Sequence, residues 1–185
     1  MALRILLMGM LAAALALPAS AEVVYGGDRK NLQILRDVTS EVRRYSRFTV
    51  FDDVSAAVDN GIVTLVGKVT MPFKKDEIAS RVARVGGVRE VRNELTVLPV
   101  SPFDEELRYR IARAIYSNSA FWHYAAMANP PIHIVVEHGR VRLTGVVNNN
   151  VERMLARSLA MNYGAFEVEN HLKTDAEIDA VLENY

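Results

Sequence analysis

The sequence predicts an α+β protein made of two tandem αββαβ two-layer sandwiches, each with two helices on one face of a three-stranded mixed sheet, and then a short C-terminal helix. Three observations lead there. The stretch Asp59 to Val69 recurs as Glu137 to Val147, displaced by 78 positions, and both copies keep Gly-x-Val-x-Leu-x-Gly-x-Val. Apolar residues just upstream of each copy alternate with a period of two, as a strand with one buried face requires. Further apolar residues on both sides fall at helical spacing, and the second helical stretch of each unit runs into glycine.

In chain order, the first helix of each unit is carried by Ile34, Val38 and Val42, matched by Leu107, Ile111 and Ile115 at a displacement of 73. The second start is the better marked. Ser101-Pro102-Phe103-Asp104 offers a capping hydroxyl, a proline at the first helical position and an acid three residues on. The change of displacement from 73 to 78 puts five additional residues between the first helix and first strand of the second unit. Val54, Ala56 and Val58, echoed by Ile132, Ile134 and Val136, form the first strands. Asn60-Gly61 makes a tight hairpin turn, with His138-Gly139 its weaker counterpart.

The second helices carry Ile78, Val82 and Val85 in one unit and Val151, Met154, Leu155 and Leu159 in the other. Gly86-Gly87 and Gly164 provide left-handed stops. Val91-Arg92-Asn93-Glu94-Leu95 and Val168-Glu169-Asn170-His171-Leu172 are the final strands. A capped tail helix runs from Thr174 through Ile178, Val181 and Leu182. The outer face of the strand after the first hairpin is apolar at Ile62 and Val66, where the second unit has Arg140, Arg142 and Thr144, so the second unit or the tail helix is expected to cover it.

Arg4, the apolar run Ile5 to Leu17, and then Pro18-Ala19-Ser20-Ala21 have the form of a secretory signal peptide. Residues 1–21 are therefore the expected leader, 22–30 a flexible segment, 31–99 and 100–173 the two units, and 174–185 the C-terminal helix. An uncleaved anchor is the alternative for the leader; no transmembrane segment is expected in the mature chain. The sequence has no cysteine, which excludes disulfides and a lipid-modified cysteine anchor. Loss of 21 residues from 185 leaves 164 and removes one basic residue, Arg4, for a net charge of about −1. That balance does not suit a nucleic-acid partner.

The repeated Gly-x-Val-x-Leu-x-Gly-x-Val, followed by a helix, a glycine stop and a Val-x-Asn-x-Leu strand, resembles the BON domain. Two such units behind a signal peptide look like the tandem dual-BON, OsmY-like envelope proteins. The resemblance spans nearly all of residues 31 to 173. It implies a periplasmic or surface-associated protein tied to envelope integrity or osmotic stress, with binding to phospholipid surfaces, and it implies no reaction and no cofactor.

Taken residue by residue, the motifs lean toward structure. Gly61, Gly67, Gly139 and Gly145 shape turns and a bulge, since no lysine-bearing phosphate loop opens a helix. Asn93 and Asn170 read as inward side chains tying down a neighbouring turn. His123, His133, His138 and His171 lack metal-ligand spacing, and His133 and His138 read as solvated. No nucleophile motif appears. In the first helices, Arg36, Arg43, Arg44 and Arg47, and then Arg108, Arg110 and Arg113, are interleaved with acids that compensate them.

The segment Phe121-Trp122-His123-Tyr124-Ala125-Ala126-Met127-Ala128-Asn129-Pro130-Pro131 holds the one tryptophan and falls where the second unit has its additional residues. Two readings stay open: the aromatics fill the second core, or they form a contact surface. On the second, Phe121, Trp122, Tyr124, Met127, Arg110 and Arg113 bind an anionic phospholipid surface or an envelope protein, because an aromatic ring with a polar handle suits the headgroup zone. The alternative function is a periplasmic protein- or cell-wall-interaction scaffold without direct lipid binding.

Overall fold

The computed structural model of the protein describes residues 29–183. The expected leader and almost all of the segment 22–30 lie outside them, as do the side chains of Val181 and Leu182. The first unit runs α1 (Arg29–Arg43), β1 (Asp53–Asp59), β2 (Ile62–Val69), α2 (Pro72–Val82) and β3 (Glu90–Val97). The second runs α3 (Pro102–Tyr116), a 3-10 turn at Ser119–Phe121, α4 (Trp122–Ala125), β4 (Ile132–Glu137), β5 (Arg140–Val147), α5 (Asn150–Met161), β6 (Glu167–Asn170) and β7 (Lys173–Thr174), and α6 (Asp175–Glu183) follows. In each unit the hairpin strands are antiparallel, and the strand after the second helix returns parallel to the middle one. Both sheets are therefore mixed, with orders β1-β2-β3 and β4-β5-β6. The third strand of the second unit is broken at His171–Leu172, and β7 resumes its pairing with β5.

Each sheet has its own core. Val38, Leu65, Ile78 and Leu95 anchor the first, and Ile111, Ile134, Leu143 and Ala156 the second. Asn60 and Gly61, and likewise His138 and Gly139, take positive φ, so both hairpins turn in the left-handed manner expected. Gly67 and Gly145 act by close approach instead. A Cβ there would sit 2.1 Å from the Asp53 carbonyl oxygen and 1.8 Å from that of Pro131, so no other residue fits.

The two inward asparagines do the same job. Asn93 Nδ2 donates to the Lys75 carbonyl (3.0 Å) and Asn170 Nδ2 to that of Arg153 (2.9 Å), tying the last strand of each unit to the first turn of its second helix. Ser101 caps α3 through the Asp104 amide (3.2 Å), as expected. The buried Asp104 carboxylate does not complete a reciprocal box; it accepts from the His138 and Gly139 amides (2.8 and 2.7 Å) and pins α3 to the hairpin. Thr174 and Glu177 form a reciprocal cap on α6, the Thr174 amide to Glu177 Oε2 at 2.8 Å and the Glu177 amide to Thr174 Oγ1 at 3.3 Å.

A buried ion pair in the first unit escaped the sequence. Lys74, in the first turn of α2, is buried and opposes the helix dipole. Asp52 compensates it at 2.6 Å, and the same carboxylate accepts from the Thr49 and Thr70 amides and hydroxyls. Every lone pair of the carboxylate is thereby used. The equivalent position in the second unit, 78 further on, is Glu152, which suits the dipole and needs no counter-ion. Glu152 accepts from the Tyr124 hydroxyl (2.7 Å) and the Asn148 amide (3.1 Å).

The units meet along β1 and β4. Ile134 donates its amide to the Val50 carbonyl (2.6 Å), Phe48 lies 5.2 Å from the His133 ring, Phe51 packs edge-on against Tyr109, and Lys68 pairs with Glu137. His133 is consequently not solvated: the first unit covers it, its Nδ1 is out of reach of water, and burial holds its pKa below the ordinary value. Asp53 faces Thr144, Arg142 and His171 across the same joint, and burial raises its pKa to about 6 against their pull. Ile62 and Val66 are only half covered, because the second unit engages the Asp53–Lys68 end of that face and α6 packs beside β7 and Arg153 instead.

Two outcomes follow from these groups. Asp52→Ala leaves Lys74 buried and uncompensated and should lower stability by about 3–5 kcal/mol, read as a fall in the urea midpoint; a loss under about 1 kcal/mol would mean Lys74 reaches water. The folded Asp53 carboxyl titrates near 6 and the unfolded one near 3.8, so the native state holds a proton that the unfolded chain releases, and stability falls as pH rises through that window. Asp53→Asn should therefore stabilise the protein at pH 8 by on the order of 1–3 kcal/mol, with the gain vanishing toward pH 4. Thermal melts across pH check the trend.

Candidate functional site

The 3-10 turn and α4 lie in the stretch where the second unit has its five additional residues. Asn118 caps the turn by accepting from the Ala120 amide (3.0 Å), and the chain rises into the four residues of α4 before Pro130-Pro131 sends it into β4. Four of these side chains divide cleanly. Phe121 is fully buried, and Tyr124 is nearly so, with its hydroxyl between Glu152 and the Asn148 amide (2.8 Å). Burial and the neighbouring Glu152 carboxylate push the Tyr124 pKa well above the phenol range. Trp122 is 68% exposed and Met127 48%.

The segment therefore fills the core with Phe121 and Tyr124 and leaves Trp122 and Met127 exposed. Phe121 and Tyr124 are core fillers, which removes them from any contact surface. Trp122 and Met127 remain on it, held by the two anchors rather than by a floppy loop. His123 lies tilted against Tyr124, ring centroids 3.9 Å apart, and its Nε2 is 3.3 Å from Asn148 Nδ2, just before the start of α5.

That neighbour enlarges the site. Val151 and Met154 were expected in the core, but Val151 is 77% exposed and Met154 56%, with Met161 at 55%. The buried face of α5 is instead Ala156 and Ala160. Two alanines four residues apart let the helix lie close on the sheet and α3, and this turns the larger residues outward. Val151, Met154 and Met161 then form one stripe on a helix face that nothing within the described residues covers. The alanine pair was the signal available in the sequence.

Of the two arginines expected to assist, Arg110 is exposed and paired with Glu106 one turn earlier. Arg113, also exposed, has no ion pair among the described residues. Arg108 differs from both: it is buried, donates to the Val136 carbonyl (2.7 Å), and is lowered in pKa by desolvation. In the first unit Arg47 is paired with Glu77 and lies over the Phe73 ring, and Arg81 is paired with Glu41, while Arg36, Arg43 and Arg44 form no ion pair among the described residues. Among the described residues no cluster of histidines and acids could hold a metal ion, and no helix is long and apolar enough to cross a membrane.

Comparison with known proteins adds family to geometry. The BON domain profile matches twice, over residues 32–99 and 104–176, one match on each αββαβ unit. No curated protein matches the sequence. Among solved structures, the C-terminal domain of CdsD, described as the structural protein of the type III secretion system of Chlamydia trachomatis, aligns at 14% identity and a TM-score of 0.31, covering 77% of this chain and 66% of that one. A second structure of CdsD from Chlamydia trachomatis aligns at 13% identity and a TM-score of 0.28, covering 83% of this chain and 99% of that one. Two profile matches that together take in most of the chain, each on a unit of the same topology, establish that it belongs to the BON domain family, whose members are non-catalytic binding modules associated with the cell envelope.

Proposed function

We propose that the protein is an exported periplasmic module, with units at 31–99 and 100–173, that attaches reversibly to anionic phospholipid and so supports envelope integrity or osmotic stress tolerance. The observation that carries this reading is Trp122: an exposed indole between the buried Phe121 and Tyr124, in a unit whose α5 also exposes Val151, Met154 and Met161. Tryptophan settles at the headgroup level because its ring is apolar and its N–H is not. Met127, Val151 and Met154 extend the apolar contact, and Arg110 and Arg113 supply attraction to acidic headgroups, about 1 kcal/mol for each basic group near the surface. Attachment of this kind, with no acyl chain, is weak and falls with salt.

Exposed apolar area of this kind is uncommon on a monomer without a partner. In the first unit the corresponding surface is dominated by ion pairs, so the second unit is the one that touches the membrane. The alternative, a scaffold recognising one envelope protein or a wall polymer, uses the same surface.

The chain's one tryptophan makes the test direct. Phosphatidylglycerol vesicles at low salt should shift Trp122 emission to the blue and pellet the protein, while phosphatidylcholine vesicles should do neither. Trp122→Ala should weaken sedimentation about tenfold, as loss of one interfacial aromatic worth about 1.4 kcal/mol would do. Met154→Lys should weaken binding if α5 lies in the surface. No pelleting at low salt removes the lipid reading, and a single protein adduct from a photocrosslinker at position 122 in cells favours the scaffold.

A further inference from the structure

The two sheets have outer edges as well as joined ones, and these edges are treated differently. β1 and β4 face the joint, where Val50 already takes one β4 amide. The far edge of the second sheet is interrupted between β6 and β7. β3 is the exception: eight residues, continuous, without proline, paired with β2 on one side and with no strand on the other among the described residues. Its side chains at Glu90, Arg92, Glu94 and Thr96 are exposed on the outer face. An edge this long and regular is a template for another strand.

The hydrogen bonds fix which amides point outward. Leu98 donates to the Val69 carbonyl, so the even-numbered residues turn their backbone toward β2. The Leu95 amide instead reaches its own neighbour, Asn93 Oδ1, at a long 3.3 Å. Val91, Asn93, Leu95 and Val97 therefore turn their backbone groups to the open edge, the Leu95 amide alone in that long bond. In an antiparallel pair, residues whose backbone groups face each other lie directly opposite, and those between them form the closer pairs without hydrogen bonds.

We propose that β3 pairs antiparallel with β3 of a second copy of this chain about a dyad at Asn93, joining two three-stranded sheets into one of six strands. The register is set by charge. With Asn93 opposite itself, Val91 meets Leu95, and Arg92 meets Glu94 twice, at the closely spaced positions where side chains touch. One residue either way is worse: a dyad at 92 sets Arg92 against Arg92, and a dyad at 94 sets Glu94 against Glu94. The register at 93 is also the one that overlaps the strand from end to end, with Glu90 opposite Thr96.

The helices permit it. Such a dyad puts both copies of α2 on the same face of the joined sheet. α2 turns Glu77 and Arg81 toward α1, where they meet Tyr45 and Glu41. Half a helical turn away lie Ala79 and, at the helix C-cap, Ala83, flanked by Lys75 and Asp76, and the two alanines leave room for a second α2 to come alongside. Arg92 is held in the single chain by Glu90 at 3.0 Å, a surface pair that yields little when exchanged for Glu94 of the partner.

Sedimentation equilibrium of the mature chain at 10–200 µM tests the proposal, with circular dichroism confirming the fold of each variant. The wild type should show a monomer–dimer equilibrium that weakens with salt. Arg92→Glu and Glu94→Arg should each raise the dissociation constant at least tenfold, and the double variant, in which the complementarity is restored with the signs exchanged, should recover most of it. Because the chain has no cysteine, Glu90→Cys/Thr96→Cys should oxidise to a covalent dimer where neither single variant does. A wild type that stays monomeric throughout, charge variants that leave a dimer unchanged, or equal crosslinking by the single variants overturns it.

Discussion

The position that organises the protein is the ionisable side chain in the first turn of each second helix, buried as Lys74 in the first unit and half-buried as Glu152 in the second. In both units the hairpin, the helix start and the segment leading into the first strand converge there, and the charge of the buried Lys74 must be met without water. The first unit places Lys74 at a helix start that repels it, so it needs a carboxylate, and the short Thr49–Asp52 turn brings one. The second unit places Glu152 there, which the helix dipole favours, so it needs donors rather than a counter-ion. Tyr124 is one of those donors, and a phenol hydroxyl on a chain that must still reach β4 takes more backbone than an aspartate does.

The insertion in the second unit thus supplies Glu152 with the Tyr124 hydroxyl as a donor. Once α4 exists to carry Tyr124 inward, the geometry of a helix decides where its neighbours go. Phe121 and Tyr124 are three residues apart and share the buried side, which leaves Trp122 between them on the opposite one. A tryptophan fixed in the open is thereby available for contact at little further ordering cost.

Most of the architecture was legible because the repeat carries its own registration marks. Gly61 and Gly139, Gly67 and Gly145, Asn93 and Asn170 each occur twice at one displacement, and each pair turns out to have one backbone role. What periodicity could not show was anything the two units do differently. Asp52 aligns with Pro130 and so had no echo to flag it. His133 sits on the outer face of a strand, which sequence reads as solvated, and only the docking of Phe48 buries it. On α5 the apolar residues cover so much of the helix that spacing alone could not choose the inner face; the close approach made possible by Ala156 and Ala160 chose it. Within α4, four residues are too few for a period to declare itself.

The joint between the units ties these differences together. It uses the outer faces of both sheets near β1 and β4, and it is polar as well as aromatic: Lys68 with Glu137, Asp53 against Arg142 and His171, and the Ile134 amide on Val50. Burial works against charge on both Asp53 and His133 there, raising the acid's pKa and lowering the base's, and the Lys68–Glu137 pair spans the same contact. Because β1 and β4 are consumed at the joint, the strands at the far ends of the two sheets point away from it, and only β3 is unbroken. The same asymmetry governs the helix side, where ion pairs between α1 and α2 close the first unit while α5 of the second keeps Val151, Met154 and Met161 outside. Two copies of one fold thus expose different surfaces, a backbone edge on the first and an apolar helix face and Trp122 on the second.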